Sequence, residues 1–163
     1  MSTISNRGPE LQPNLRLRVV VVAALVLCVT AAYTPLLVSG WIYNDVNIVQ
    51  SSPALEDLAG LGRAISTDLY SQASPRLEES PYWRPLAMAS FWLNTQFGNA
   101  PLTLHIGNIV LHALATALLA LVVMQRHGNS AGIVAAVSAA IWWALHPENV
   151  EAVSCISCRY DLL

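Results

Sequence analysis

With 163 residues, 55% of them hydrophobic and 11% charged, and a mean hydropathy of +0.49, the chain has a membrane-protein composition, since soluble domains carry about 25% charged residues. All eight basic residues are Arg and the net charge is -2, so no basic field exists to hold nucleic acid, and that class of function is set aside. Three Cys, at 28, 155 and 158, are too few to build a fold from disulfides.

Residues 1 to 18 are polar, with Pro9 and Pro13 and with Arg7, Arg16 and Arg18 crowded toward the first apolar run. They read as a disordered tail on the cytoplasmic side by the positive-inside rule. Val19 to Val38 is an uncharged apolar run that as a helix rises about 30 Å, the thickness of the hydrocarbon core. It is the first expected span, and Cys28 lies inside it as a small hydrophobe. A cleaved signal peptide is the weaker reading, because a signal core is usually about 7 to 15 residues.

Residues 39 to 100 form the expected outer loop, whose acids include Asp45, Glu56, Asp57, Asp68, Glu78 and Glu79. Ser52-Pro53 looks like a helix cap followed by a first-turn proline, and Leu55, Leu58, Leu61 and Ile65 follow at helical spacing. That pattern predicts a short amphipathic helix on the membrane surface or on the bundle. Ala87 to Leu93, after Tyr82-Trp83-Arg84-Pro85, is too short to cross and reads as an interfacial or re-entrant helix.

Residues 101 to 125 make the second expected span and 129 to 146 the third, joined by a tight turn at Arg126-His127-Gly128-Asn129. Ala135 with Ala139, and Ala136 with Ala140, are small-xxx-small pairs that let another helix approach closely. Residues 147 to 163 begin an outer-face helix that reaches Leu163 with no stop signal, the pattern expected of an incomplete domain. Three spans with the amino terminus inside put both acidic segments on one outer face. Every acid except Glu10 falls there.

Several positions carry chemistry. Asp45, where the first span meets water, can act as a general base, and burial against Trp41 and Tyr43 would raise its pKa; from spacing alone a capping or solvated loop Asp is the stronger reading. Arg84, between Trp83 and Pro85, suits bidentate binding of a phosphate or carboxylate, or else anchors the interface. His105, Asn108 and His112 share one face of the second span, and interhelical packing is the favoured role. Metal ligands would have to come from another segment, so no metal site is expected, and nothing argues for a bound tetrapyrrole. Glu148, Glu151 and Arg159 are not resolved by periodicity into catalysts or a solvated helix end. Cys155-Ile156-Ser157-Cys158 is a lone CxxC without a thioredoxin-like context; it is read as incidental, with an oxidised pair as a minor alternative.

Taken together, Tyr43-Asn44-Asp45 with Ile48, then "RAISTDLY", "YWRPLAMASFWLN", "HIGNIVLHALATALL" and "LHPENVEAVSCISCRYDLL" resemble, in order and approximate spacing, the tetratricopeptide-repeat transmembrane O-mannosyltransferases and their bacterial relatives. These are similar to the wider GT-C class of polyprenyl-phosphate-sugar glycosyltransferases. The resemblance implies an all-α integral membrane protein, corresponding to the amino-terminal part of an enzyme that moves a sugar from a lipid-linked phosphate donor to an acceptor hydroxyl outside the cytoplasm. Asp45 stands at the position of the family's base. By the same carry-over Arg84 would neutralise the lipid phosphate, while His146, Glu151 and Arg159 would complete or brace the pocket. No cofactor is implied beyond the donor itself. A bacterial inner membrane is the expected location, with membrane lipids and other transmembrane helices as partners. The alternative is a non-catalytic three-helix subunit of the same ancestry, packed into a larger complex through Ala136 and Ala140.

Overall fold

A computed structural model describes residues 15–66, 83–127 and 129–163. The tail before Leu15, the acids Asp68, Glu78 and Glu79, and Gly128 of the expected turn lie outside the described residues. Every regular element among the described residues is helical, so the chain is an all-α protein.

Helix α1 is Leu15–Ala32, α2 is Leu58–Ser66, α3 is Pro85–Thr95, α4 is Pro101–His127, α5 is Ser130–Ala144 and α6 is Pro147–Ser154. Short tight turns occupy Thr34–Val38, Pro53–Leu55 and Ser157–Asp161, and a wide π-helical turn covers Val46–Gln50. Helices α1 and α4 are long and apolar enough to cross a membrane, and α5 with α6 forms a third candidate broken by a 59° bend. Leu27, Leu118, Val122 and Trp142 point outward with more than half of their surface exposed. In water that would be costly, and in lipid it is the expected outer surface. The chain is an integral membrane protein.

Local chemistry sets the boundaries. Arg16 and Arg18 lie on helix α1, which stops before Pro35, a residue with no N–H for the ladder. Ser52 adopts the extended backbone of a cap, yet its hydroxyl is buried and makes no hydrogen bond among the described residues. Asp57 supplies the cap instead, its Oδ1 accepting from the Gly60 N–H as α2 begins. At the other hairpin Asn129 caps α5, its Oδ1 accepting from Gly132 N–H at 2.9 Å.

Three packed layers follow one another down α4. Near the α4–α5 connection, Ala120 and Met124 meet Leu25, Ala136 and Ala140. The middle layer joins Ile109 to Val29, Tyr33, Ala144 and Val153. At the far end Leu104 packs with Ile48, Val49, Leu55, Ala87, Met88, Phe91 and Ile156. This last layer carries α2 and α3 on the bundle, and Trp83 Nε1 to Ile65 O (2.7 Å) and Trp92 Nε1 to Asp57 O (3.1 Å) tie them against each other.

Ala136 and Ala140 are fully buried between α1 and α4 of this same chain, whereas Ala135 is exposed. With no side chain beyond Cβ, they let the helix backbones close on one another.

Candidate functional site

The polar residues of the far layer form one connected cluster. The chain leaves the Thr34–Val38 turn extended and reverses at Tyr43, whose φ of 50° is left-handed, a conformation that costs a non-glycine residue about 1–2 kcal/mol. The reversal closes a small loop in which Asp45 N–H donates to Ile42 O at 3.0 Å and Ile42 N–H donates to Asp45 Oδ2 at 3.1 Å. From the other end of the sequence, Ser157 N–H donates to Asp45 Oδ1 at 2.7 Å. Asp45 is 0% exposed, while Tyr43 is 86% exposed. The turn at Cys155 to Ser157 buries the carboxylate, and Tyr43 points away from it.

Three cavities adjoin this cluster; one, about 370 Å³, is lined by Arg159 with Ser90, Asn94 and Gly107, and the other two share a wall. The first of these two, about 190 Å³, is lined by Tyr43, Asn44, Ile48, Glu151, Ser157 and Tyr160, with both sulfur-bearing residues Cys155 and Cys158 in its wall. The second, about 250 Å³, is lined by Trp83, Arg84, Leu86 and Leu163, and by Tyr160 again. Tyr160 is therefore the partition between an acidic, hydroxyl-rich cavity and a cationic one with apolar walls. The Arg84 guanidinium lies 3.7 Å from the Tyr160 ring centroid, a cation–π geometry that fixes both groups.

Arg159 is 1% exposed and sits behind these cavities. Its Nε donates to Asn108 Oδ1 at 2.6 Å, Nη1 to Ser90 O at 3.2 Å, and Nη2 to Asn94 Oδ1 and Leu104 O at 2.9 and 2.8 Å. The guanidinium thus binds α3, α4 and its own turn together, over the face of Phe91 at 4.5 Å. Burial lowers its pKa to about 10, so it stays charged at neutral pH. No carboxylate among the described residues lies within 4.0 Å of it. Gly107 makes the approach possible: a Cβ there would stand 2.7 Å from Arg159 Nη2 and against Asn94 Oδ1.

His105, Asn108 and His112 are all 0% exposed on the inward face of α4. Asn108 Nδ2 donates to Val153 O and Cys155 O, both at 3.1 Å, fixing the end of α6 on α4. His112 Nε2 donates to Ala144 O at 2.9 Å, and Tyr33 Oη donates to the same carbonyl at 2.8 Å. One backbone oxygen at the end of α5 thereby holds α1 and α4 together. The His112 ring also stacks on Trp143 at 4.9 Å. His105 differs: neither ring nitrogen makes a hydrogen bond of normal geometry among the described residues, although the ring lies beside the Gly40 backbone and within electrostatic reach of both Asp45 and Arg159.

Of the residues singled out in the sequence, Asp45, Arg84, Glu151 and Arg159 come together in this cluster. His146 stands apart, capping α6 with Nδ1 accepting from Glu148 N–H at 3.3 Å, and it lines neither cavity. Sequence reasoning missed Ser157, Tyr160 and Asn94. It also set aside Cys155 and Cys158, which the structure joins as a disulfide. The CxxC spacing was the available signal for that pair; nothing in the sequence marks Tyr160 as a shared wall. No group of three or more metal-ligating side chains occurs among the described residues.

These features define an integral membrane protein with a polar pocket roofed by its loops at one end of a helical bundle. In sequence the chain is similar to protein O-mannosyl-transferases. It is 30% identical over 133 residues to Tmtc1 and 31% identical over 132 residues to Tmtc2 of Drosophila melanogaster, and 26% identical over 145 residues to TMTC3 of Homo sapiens. Those alignments take in 80%, 80% and 87% of this chain but only 15%, 14% and 15% of the relatives, so the chain spans about a seventh of their length. The likeness supports the O-mannosyl-transferase family for this stretch. No family model and no solved structure matches the chain.

Proposed function

We propose that this chain forms the sugar-transfer end of a GT-C-like membrane glycosyltransferase, of the kind shared with bacterial relatives, which takes a sugar from a polyprenyl-phosphate donor and passes it to an acceptor hydroxyl on the non-cytoplasmic side. The observation that carries the reading is the pair of cavities divided by Tyr160, with Asp45 held beside them. Asp45 is the base. Its two hydrogen bonds, one to each oxygen, fix the carboxylate behind the Ser157 turn and leave lone pairs to take the acceptor proton when that turn moves aside. Arg84 meets the departing phosphate, with Trp83 and Leu86 alongside for the lipid. Asn44 and Glu151 hydrogen-bond sugar hydroxyls in the other cavity, and Arg159 braces both walls from behind.

Asp45→Asn tests this in the complete protein. An amide keeps one acceptor oxygen, so either Ile42 or Ser157 loses its partner, at about 1–3 kcal/mol. Sugar transfer is expected to fall by about 10²–10⁴ as the base is lost, with the protein still folded by protease resistance. Full transfer by folded Asp45→Asn would sink the assignment. The alternative of a non-catalytic subunit docked through Ala136 and Ala140 gains nothing from the packing, because both face α1 and α4 of their own chain.

A further inference from the structure

Two cysteines stand in the wall of the Glu151 cavity, and the function proposed above uses neither. They are joined to each other, with Cα atoms 5.2 Å apart, a separation that a disulfide bridges without backbone movement. The bond closes the connection between α6 and the Ser157–Asp161 turn. That connection covers Asp45: Ser157 N–H donates to Oδ1 at 2.7 Å, and Cys155 Sγ lies 3.8 Å from the same oxygen. Cys155, Ser157 and Cys158 face the cavity while Asp45 is fully buried. The cross-linked turn is what stands between the carboxylate and the cavity. The sulfurs differ in access: Cys155 is 3% exposed and Cys158 is half-buried, so Cys158 Sγ is the atom an attacking thiolate reaches.

We propose that Cys155–Cys158 is a redox site whose disulfide pins a cover over Asp45, and that reduction by a small dithiol releases the cover. The thiolate of the dithiol attacks Cys158 Sγ, the Sγ–Sγ bond breaks, and Cys155 is the leaving group. A thiolate beside the Asp45 carboxylate is disfavoured by like charge, so Cys155 takes up a proton. The second thiol of the reagent then displaces Cys158, which is also protonated, and the reagent departs as its cyclic disulfide. Two electrons and two protons have passed to the protein. The reduced Cys155 S–H is a hydrogen-bond donor, which the disulfide sulfur was not, so Asp45 Oδ1 keeps a partner when Ser157 moves away.

The proposal concerns the carboxylate of the reading above but does not need sugar transfer for its test. Protein in native membranes, with and without dithiothreitol, is treated with dicyclohexylcarbodiimide, an apolar carboxyl reagent, and modification at Asp45 is read from its peptide by mass spectrometry. Free thiols are counted in parallel by alkylation in denaturant. Of the three cysteines in this stretch, only Cys28 is expected to be alkylated before reduction, and all three after it, each read from its own peptide. Modification of Asp45 is expected to rise about tenfold as the cover opens. In Cys155→Ser/Cys158→Ser, Asp45 should react at the reduced level with or without dithiothreitol. Alkylation of Cys155 and Cys158 before any reductant overturns the disulfide. Equal Asp45 modification of the oxidised and reduced wild-type protein overturns the cover, whether or not the double variant folds. No arm reads glycosyl transfer, so failure of the transferase reading and failure of the redox site are told apart.

Discussion

Arg159 shows how far one side chain can organise a site. Three of its partners are carbonyl or amide oxygens on α3 and α4 lying 51 to 69 residues away in sequence, and a fourth, Asn94 Oδ1, is 65 away. Arg159→Lys keeps the charge but replaces a planar fork by a point donor that cannot serve all four. Losing two charge-assisted bonds is expected to lower stability by about 3 kcal/mol or more, measured as thermal unfolding in detergent; an unchanged midpoint would mean that the fork is not needed. Asp45 and Arg84 stood out in the sequence where apolar runs meet polar ones, but that placement alone favoured a capping or solvated Asp45 and left Arg84 between ligand and anchor; only the family resemblance gave them roles. Ser157 and Tyr160 did not stand out, since their roles arise from contacts that join opposite ends of the chain, as when Ser157 N–H meets a carboxylate 112 residues earlier. His146 was singled out by motif alone, and its imidazole caps a helix.

At the scale of elements, the small-residue face of α5 is where sequence and packing meet most directly. Ala136→Leu or Ala140→Leu pushes a side chain into contacts already closed by Leu25, Ala120 and Met124. Overpacking of this kind costs about 1–3 kcal/mol. Ala135→Leu, one residue away but exposed, should be nearly neutral. Equal melting temperatures for the three variants would contradict the packing. The periodicity around Leu55 to Ile65 was readable as helix, yet the chain breaks it into Pro53–Leu55 and α2. Asp57 rather than Ser52 satisfies the first free N–H groups, a choice between two capping residues that sequence spacing does not make.

For the whole molecule, apolar composition and two long hydrophobic runs were enough to read an all-helical membrane protein. The arrangement of the loops on the bundle was not legible, because it depends on side-chain hydrogen bonds such as Trp92 Nε1 to Asp57 O that have no periodic signature. The expected topology puts Gln72 and Asn129 on opposite sides of the membrane. Reporter fusions at those positions should therefore read opposite compartments; a shared compartment would dismantle the common outer face of Asp45 and Glu151.

The unequal lengths of α4 and α5 bear on where the chemistry sits. With 27 residues α4 rises about 40 Å, and with 15 residues α5 rises about 22 Å, some 8 Å short of a 30 Å hydrocarbon core. The chain bends by 59° at the end of α5 and continues into α6 and the Arg159 turn. Hydrophobic mismatch of this size draws the adjacent leaflet inward. On the transferase reading proposed above, we expect lipid headgroups beside α5 to stand at the level of the cavities, so that a lipid-borne phosphate meets the protein by moving sideways in the membrane, without first rising out of it.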